Sequence, residues 1–226
     1  MSKPFVVVTS YFEHQNATTS SGYKKEPESV RWLVDQKEFD YVVYSPMYDP
    51  PNYIPKDKVI WIPNKGYDAF GLLTYIIDNY HNLPSHVAFI HGHLNGWHQD
   101  RDIMTALREY DGKDYFSLND KKQRNTFYDG CGQVPEHSWG SAELNWNWAR
   151  DGLKEIDPNF PIPSRMEFTC CTQFVVTKER ILANSLTFYR KCLNWLVRTT
   201  KEDFITGRVV EHNIHYIMTH KEIEEP

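Results

Sequence analysis

One unit in the chain constrains the fold more than any other: an amphipathic helix, a break, and a short apolar strand that runs into His91-Gly92-His93. Apolar side chains fall at Ala69, Leu72, Leu73, Ile76, Ile77 and Tyr80, the i, i+3, i+4, i+7 recurrence of a single helix face. Asp68 stands where an acidic residue favours the positive end of the helix dipole, and Leu83-Pro84 closes the helix. His86–Ile90 then reads as a strand. Three earlier apolar runs, Phe5–Thr9, Asp40–Tyr44 and Val59–Ile62, read as strands too, with a short helix between the first two near Glu28–Gln36. Strand and helix alternate, which predicts a mostly parallel sheet covered by helices. Ligands of such sheets lie beyond the carboxyl ends of the strands, and here those ends are polar: Thr9–Glu13, Tyr44–Ser45, Asn64–Asp68 and His91–His93.

The second half is less regular. A helix is expected over Arg101–Tyr110, then a loop-rich, substrate-facing excursion over Gly112–Pro163 with Trp139, Trp146 and Trp148, and no second core. Met166–Val176 reads as one strand, bulged at most. Helical patterning resumes at Lys178 and runs through Leu186, Tyr189, Leu193, Leu196 and Val197, and a last helix near Val209–Met218 follows Gly207. With 226 residues the chain suffices for one sizeable core, read as a nucleotide-binding half (1–110) and a substrate half (111–226), a unit that could also be one module of a longer protein.

Composition excludes some functions. A net charge of −5 with no basic block argues against duplex nucleic acid, whose phosphates demand clustered Lys and Arg. No run of eighteen apolar residues spans a membrane, and Met1-Ser2-Lys3-Pro4 opens no signal-peptide pattern, so a cytoplasmic setting is expected. Of the four cysteines, Cys131, Cys170, Cys171 and Cys192, none makes a CxxC pair, and reduced thiols are the simplest reading.

His91 and His93 carry the chemistry. Residues two apart in a strand point to one side, about 6–7 Å apart at Cα, so both imidazoles can converge on one metal ion. The plainer alternative is a pair of polar strand-end residues bonded to neighbouring loops. His98 follows closely, and His212, His215 and His220 cluster near the C-terminus.

Motifs in order give a resemblance. The first strand ends in Ser10-Tyr11-Phe12-Glu13, Asn64-Lys65-Gly66 precedes the helix, and Phe89-Ile90-His91-Gly92-His93 occupies the place of an Asp-x-Asp motif. This layout resembles the GT-A glycosyltransferases. With Asp68, Tyr75 to Tyr80, Leu83-Pro84, Trp97-His98, Cys170-Cys171-x-Gln173-Phe174 and Glu179-Arg180-Ile181, the chain is further similar to a family of fungal and large-virus proteins once catalogued as of unknown function. That family is taken to include a chlorella-virus glycosyltransferase domain implicated in capsid glycosylation.

The resemblance implies a GT-A-like α/β fold, with a mixed, mostly parallel sheet flanked by helices in a single domain. It also implies a UDP-sugar donor such as UDP-glucose, a glycan or glycoprotein acceptor, and a divalent metal, Mn²⁺ foremost and Mg²⁺ next. A viral protein of this kind would work in the host cytoplasm. A cation suits the reaction, because glycosyl transfer releases a diphosphate whose growing charge it neutralises. His replaces both Asp of the usual motif, which leaves metal identity open and also allows a single histidine ligand, His93 ahead of His91; His91 is a candidate for the donor as well, and His212 is the expected third ligand. Thr9, Tyr11 and Glu13 are candidates for the nucleotide, with Tyr44, Ser45, Asn64 and Asp68 beside them, although Tyr11 also suits a core and Asp68 a helix cap.

Cys171 and Gln173, with Cys170, read as the strand nearest the donor sugar, or as ordinary buried residues. Lys65, Arg165 and Arg180 are candidate diphosphate partners, and Asp78 is a further possible carboxylate. For a general base the candidates are Glu211 first, then Asp203 and Glu202, with Glu143 as competitor. Trp139, Trp146 and Trp148 suit either an acceptor glycan or loop anchoring. Two rival functions stand beside this one: a metal-dependent hydrolase or phosphoesterase, suggested by the histidines, and a non-catalytic carbohydrate-binding module, suggested by aromatics at 15%.

Overall fold

The computed structural model describes residues 3–11, 30–120, 124–128, 142–169 and 171–224. In chain order the elements are β1 (Phe5–Val8), α1 (Arg31–Val34), β2 (Tyr41–Ser45), β3 (Val59–Trp61), α2 (Asp68–Asn79), β4 (His86–Ile90), α3 (Ile103–Arg108) and β5 (Tyr115–Ser117). There follow β6 (Arg124–Tyr128), α4 (Ala142–Ile156), β7 (Arg165–Thr169), β8 (Phe174–Thr177), α5 (Lys178–Leu182), α6 (Leu186–Arg198) and α7 (Asp203–Thr219).

The run Val6-Val7-Val8 has no polar alternation because both its faces are covered. Val6 and Val8 pack with Leu33, Val43, Ala88, Ile90 and Ile103 on the side of α1 and α3. Val7 packs with Leu72, Ile76, Phe89, Leu153, Leu196 and Ile214 on the side of α2, α4, α6 and α7. Each fully buried aliphatic side chain contributes about 1.5–3 kcal/mol, so the two layers clamp the sheet from both sides. Its order is β3-β2-β1-β4-β8-β5. β1 to β4 are parallel neighbours, and β8 runs antiparallel to both β4 and β5. This is one α/β domain built on a mixed, mostly parallel sheet, as the GT-A resemblance implies.

Four expectations need correction. Met166–Val176 is not one strand: β7 pairs with β6 in a separate two-stranded sheet, β8 enters the main sheet, and Cys171 between them has φ of 67°. A non-glycine residue in the left-handed region turns the chain out of one sheet and into the other. The supposed loop excursion holds α4, a 15-residue helix that buries Ala149, Leu153 and Ile156 against α7 and the main core. There Gly152 is needed, since a Cβ on it would sit 2.5 Å from a Val209 methyl. The last helix starts at Asp203 and so encloses Gly207, and the long helical stretch after Lys178 is two helices because Ser185 caps α6 by accepting from the Phe188 N–H. Among the described residues no helix is long and apolar enough to cross a membrane.

Candidate functional site

The chain moves from β1 to one side of the sheet to make β2 and β3, then returns to place β4 on the other side of β1. The carboxyl ends of β1 and β4 therefore flank the switch point where open α/β sheets bind ligands. Val8 pairs with Ile90, so Thr9 and His91 leave the sheet side by side. Side chains two apart share a face: Thr9 follows Val7 and His91 follows Phe89, both on the α2 side. Asp68, the first residue of α2, meets them. Its Oδ1 accepts from Thr9 Oγ1 at 3.2 Å, and its Oδ2 lies 3.1 Å from His91 Nε2. α2 can come this close because residue 71 is glycine; a Cβ there would lie 1.8 Å from the Thr9 carbonyl oxygen.

His91 Nδ1 stands 3.2 Å from His93 Nε2, and the rings of His91, His93 and His98 form a triangle with centroids 5.2, 5.4 and 5.2 Å apart. Each ring offers a nitrogen, and the three nitrogens lie within 4.8 Å of one another. His98 is buried, and its Nδ1 lies 2.8 Å from Asn119 Oδ1. The same oxygen accepts from Gln173 Nε2 at 2.8 Å, while Asn119 Nδ2 donates to the Cys171 carbonyl at 2.8 Å. Gln173 Oε1 accepts the His91 backbone N–H at 3.0 Å. Beside the rings, Gln99 has both amide heteroatoms buried with no hydrogen-bond partner among the described residues. Leaving such a group unsatisfied costs about 1–3 kcal/mol.

Charge in the site follows burial and neighbours. Burial works to raise the Asp68 pKa, but the charge and hydrogen bond of His91, with the Thr9 hydroxyl, hold it below the ordinary carboxylate value. Burial, helped by His91, drops His98 to about 4, against the opposing pull of Asn119 and Asp68, so its ring is neutral at physiological pH.

Glu211 comes from α7. Gly207, one turn earlier on the same helix face, presses on the loop leading into α2: a Cβ there would lie 2.8 Å from Tyr67 Cδ2 and 3.2 Å from the Gly66 oxygen. That loop is bent hard, with φ of 65° at Gly66 and 49° at Tyr67. Asp203 Oδ1 fastens it by accepting the Gly66 N–H at 3.3 Å. Glu211 therefore faces the start of α2. It accepts a hydrogen bond from the Cys171 backbone and lies within electrostatic reach of Arg208, His91 and Asp68. Burial raises its pKa above the ordinary value, against the opposing pull of Arg208 and His91. Arg208 lies over the Phe204 ring, 4.1 Å from its centroid. Trp97, 69% exposed and edge-on to His98, and Tyr67, 58% exposed, are chain neighbours of the cluster.

Of the residues singled out from sequence, Asp68, His91, His93, Cys171, Gln173 and Glu211 come together. Thr9 and Gln173 act inside the protein, holding Asp68 and His91, and are too buried to reach a donor. Tyr44 and Tyr11 belong to the core: Tyr44 packs edge-on to Tyr75, and the fully buried Tyr11 lies against Gly92 with its hydroxyl 2.7 Å from that of Tyr53. Ser45 is buried and donates to the Tyr11 carbonyl. Asn64 is exposed, and Asp203 serves the loop rather than the cluster. His212 stands apart with its ring against Phe168, and His98 takes the third place in the cluster. None of the three candidate cations stays available: Lys65 reaches the carbonyls of Val197 and Thr199, Arg165 pairs with Glu167, and Arg180 with Asp114.

Asp78 and Glu202 are exposed on the surface, and Trp148 packs edge-on to Phe204. Glu13, Trp139, Cys131, Cys170 and the side chains of Glu143 and Trp146 lie outside the described residues. Sequence reasoning missed Asn119, Gln99 and Arg208. Asn119 reaches His98 and Arg208 reaches Glu211 only through the fold, and Gln99, although next to His98, has nothing in its own residue type to mark it.

Residues 23–226 match the family described as "Protein of unknown function (DUF3431)", and the chain belongs to that family. No curated protein and no solved structure matches it.

Proposed function

We propose that this member of the DUF3431 family is a glycosyltransferase that uses a UDP-activated sugar and a divalent cation to glycosylate a glycan or glycoprotein. One observation carries the reading. At the carboxyl ends of β1 and β4, the place where α/β sheets take ligands, three imidazoles and Asp68 face a half-buried glutamate from the far end of the chain. The resemblance to GT-A enzymes gives that arrangement its chemistry. His91, His93 and His98 would hold the cation, which supplies charge neutralisation for the departing diphosphate. Arg208 adds a fixed positive charge nearby. Glu211, poorly solvated and so of raised pKa, suits a base that takes the proton of an acceptor hydroxyl. A base of this kind belongs to a single displacement that inverts the anomeric centre.

A second reading has its own support. An all-imidazole donor set beside a carboxylate is also the equipment of a metal-dependent hydrolase or phosphoesterase. Both are separated by thermal melting and product analysis. With UDP at about 100 times its dissociation constant and a divalent cation present, binding stabilises by about 2.7 kcal/mol. That corresponds to a rise in Tm of about 5–10 °C for a chain of this size. The rise is expected to vanish on chelation and in His93→Ala. A Tm unmoved by UDP with any divalent cation ends the transferase reading, and turnover of a phosphomonoester in place of a UDP-sugar installs the hydrolase.

A further inference from the structure

We infer that His91, His93 and His98 form a three-imidazole centre for a borderline divalent cation of the zinc class, rather than a site for an oxygen-seeking Mn²⁺ or Mg²⁺. The inference rests on the metal part of the proposed function and goes beyond it by naming the cation class and the groups that aim the ligands.

The polar contacts set which nitrogen His91 and His98 offer. Asn119 Nδ2 donates to the Cys171 carbonyl, so its Oδ1 faces His98 and Gln173. An amide oxygen only accepts, so His98 carries its proton on Nδ1 and keeps the Nε2 lone pair for the cluster. Asp68 Oδ2 does the same for His91: the carboxylate draws the proton to Nε2, and the Nδ1 lone pair turns to His93. Metal-ligating histidines characteristically pass their other ring N–H to a carboxylate or carbonyl in this way. The separation of 3.2 Å between His91 Nδ1 and His93 Nε2 is close to the edge of a tetrahedron with metal–nitrogen bonds of about 2.0–2.1 Å, roughly 3.3 Å.

The donor set decides the cation. Both Asp68 oxygens are engaged, one by Thr9 and one by His91, which makes the carboxylate an orienting group rather than a ligand. Three nitrogens and no carboxylate suit zinc, iron or cobalt, whereas Mg²⁺ and Mn²⁺ prefer oxygen. The point where a Gly96 Cβ would stand lies 2.8 Å from His93 Cε1, 3.1 Å from His98 Nε2 and 3.0 Å from Gln99 Oε1. Gln99 thus shares the corner at Gly96 with His93 and His98, and both heteroatoms of its amide are buried with no hydrogen-bond partner among the described residues.

The test uses the full chain freed of metal by a chelator and reloaded with Zn²⁺ or Co²⁺, with no nucleotide present. X-ray absorption fine structure of the zinc form is expected to show three imidazole nitrogens at about 2.0–2.1 Å, and two in His98→Ala. The cobalt form should give the intense visible bands of a four-coordinate ion. Asn119→Leu is expected to lose about 10–100-fold in Zn²⁺ affinity, and Asn119→Asp, which keeps an acceptor for His98 Nδ1–H, to regain most of it. Fewer than three imidazoles around zinc, six-coordinate cobalt spectra, or unchanged zinc affinity in Asn119→Leu would each overturn the inference. Should His98→Ala fail to fold, the count in the unmodified protein decides alone. A three-nitrogen zinc centre with no response to UDP keeps this inference and removes the transferase; a UDP response that needs Mn²⁺, on a site with fewer imidazoles, does the opposite.

Discussion

Gly71→Ala asks whether the approach of α2 to β1 builds the site. In an ordinary exposed helix the change stabilises by up to about 1 kcal/mol, because alanine is the better helix former. Here the added Cβ would start 1.8 Å from the Thr9 carbonyl oxygen, where real Cβ atoms keep 3.0 Å or more, so α2 must retreat by at least 1.2 Å. The obstacle is backbone on a buried central strand, which cannot swing aside as a side chain can. Overpacking of this kind costs about 1–3 kcal/mol, at the upper end against a rigid partner. After the propensity gain, a net loss of about 2 kcal/mol remains, or about 4–8 °C in Tm. The same retreat stretches the 3.2 Å and 3.1 Å contacts of Asp68 with Thr9 and His91 past hydrogen-bonding range. Urea unfolding at constant m-value measures the first effect, and zinc titration of the folded variant the second. A Gly71→Ala variant as stable as the parent or more so, with unaltered zinc affinity, would refute the claim that this contact sets the geometry.

Glu211→Gln is expected to abolish transfer while leaving UDP affinity unchanged, and to raise Tm at neutral pH. The sign follows from its raised pKa: the folded state binds the proton more tightly, so stability falls as pH climbs from the unfolded value of 4.5 through the folded one, and the neutral amide escapes that loss. A lower Tm for the amide would show the charged form to be the stabilised one. Asp102→Ala removes the cap of α3, where the carboxylate accepts from the Thr105 N–H at 2.9 Å and its hydroxyl at 2.8 Å; about 1 kcal/mol, or 2–4 °C, should go, with zinc affinity intact. Burial works to raise the Asp102 pKa, but the Thr105 hydrogen bonds win and hold it below 3.8, so this penalty is full above that pH and fades as pH falls below it. Equal stabilities at pH 7 would discard the cap. Cys192, buried and with its thiol pushed to about 12, should resist an aromatic disulfide reagent at pH 8 until the protein unfolds, as peptide mapping of the labelled chain would show.

The parts of the fold that sequence exposes are those fixed by short-range patterning. α2 and β4 lie where periodicity and Asp68 put them, because one helical face and one fully buried strand leave little choice of register. α4 escapes such a reading. Asn145, Asn147, Arg150 and Asp151 are mixed among its apolar residues in the sequence, and its placement is settled by the close contact of Gly152 with Val209, about sixty residues away. The break between β7 and β8 is equally invisible: Cys171 is no turn former, and only the need to enter two different sheets explains its left-handed backbone. At the site, His91 and His93 are legible as a pair because they stand two apart just beyond the end of a strand, although the chain bends between them at Gly92. Tyr11 and Tyr44 mislead for the converse reason, since an aromatic at a strand end serves a binding cleft and a core with the same sequence.

This division between local and remote information has a consequence for the chemistry. Every ring nitrogen of the cluster comes from the eight residues 91–98, the segment that follows β4. Their orientation does not come from that segment. Asp68 is set by α2, Asn119 by the segment after β5, Gln173 by the corner before β8, and Glu211 by a helix more than a hundred residues downstream. The segment 91–98 excised from this chain would keep three imidazoles and lose the contacts that choose the tautomers of His91 and His98, along with the acid that faces them. Asp68 in the first half and Asn119 in the second therefore decide which lone pairs of His91 and His98 face the cluster, and that choice is what would separate a cation site from three histidines that merely touch.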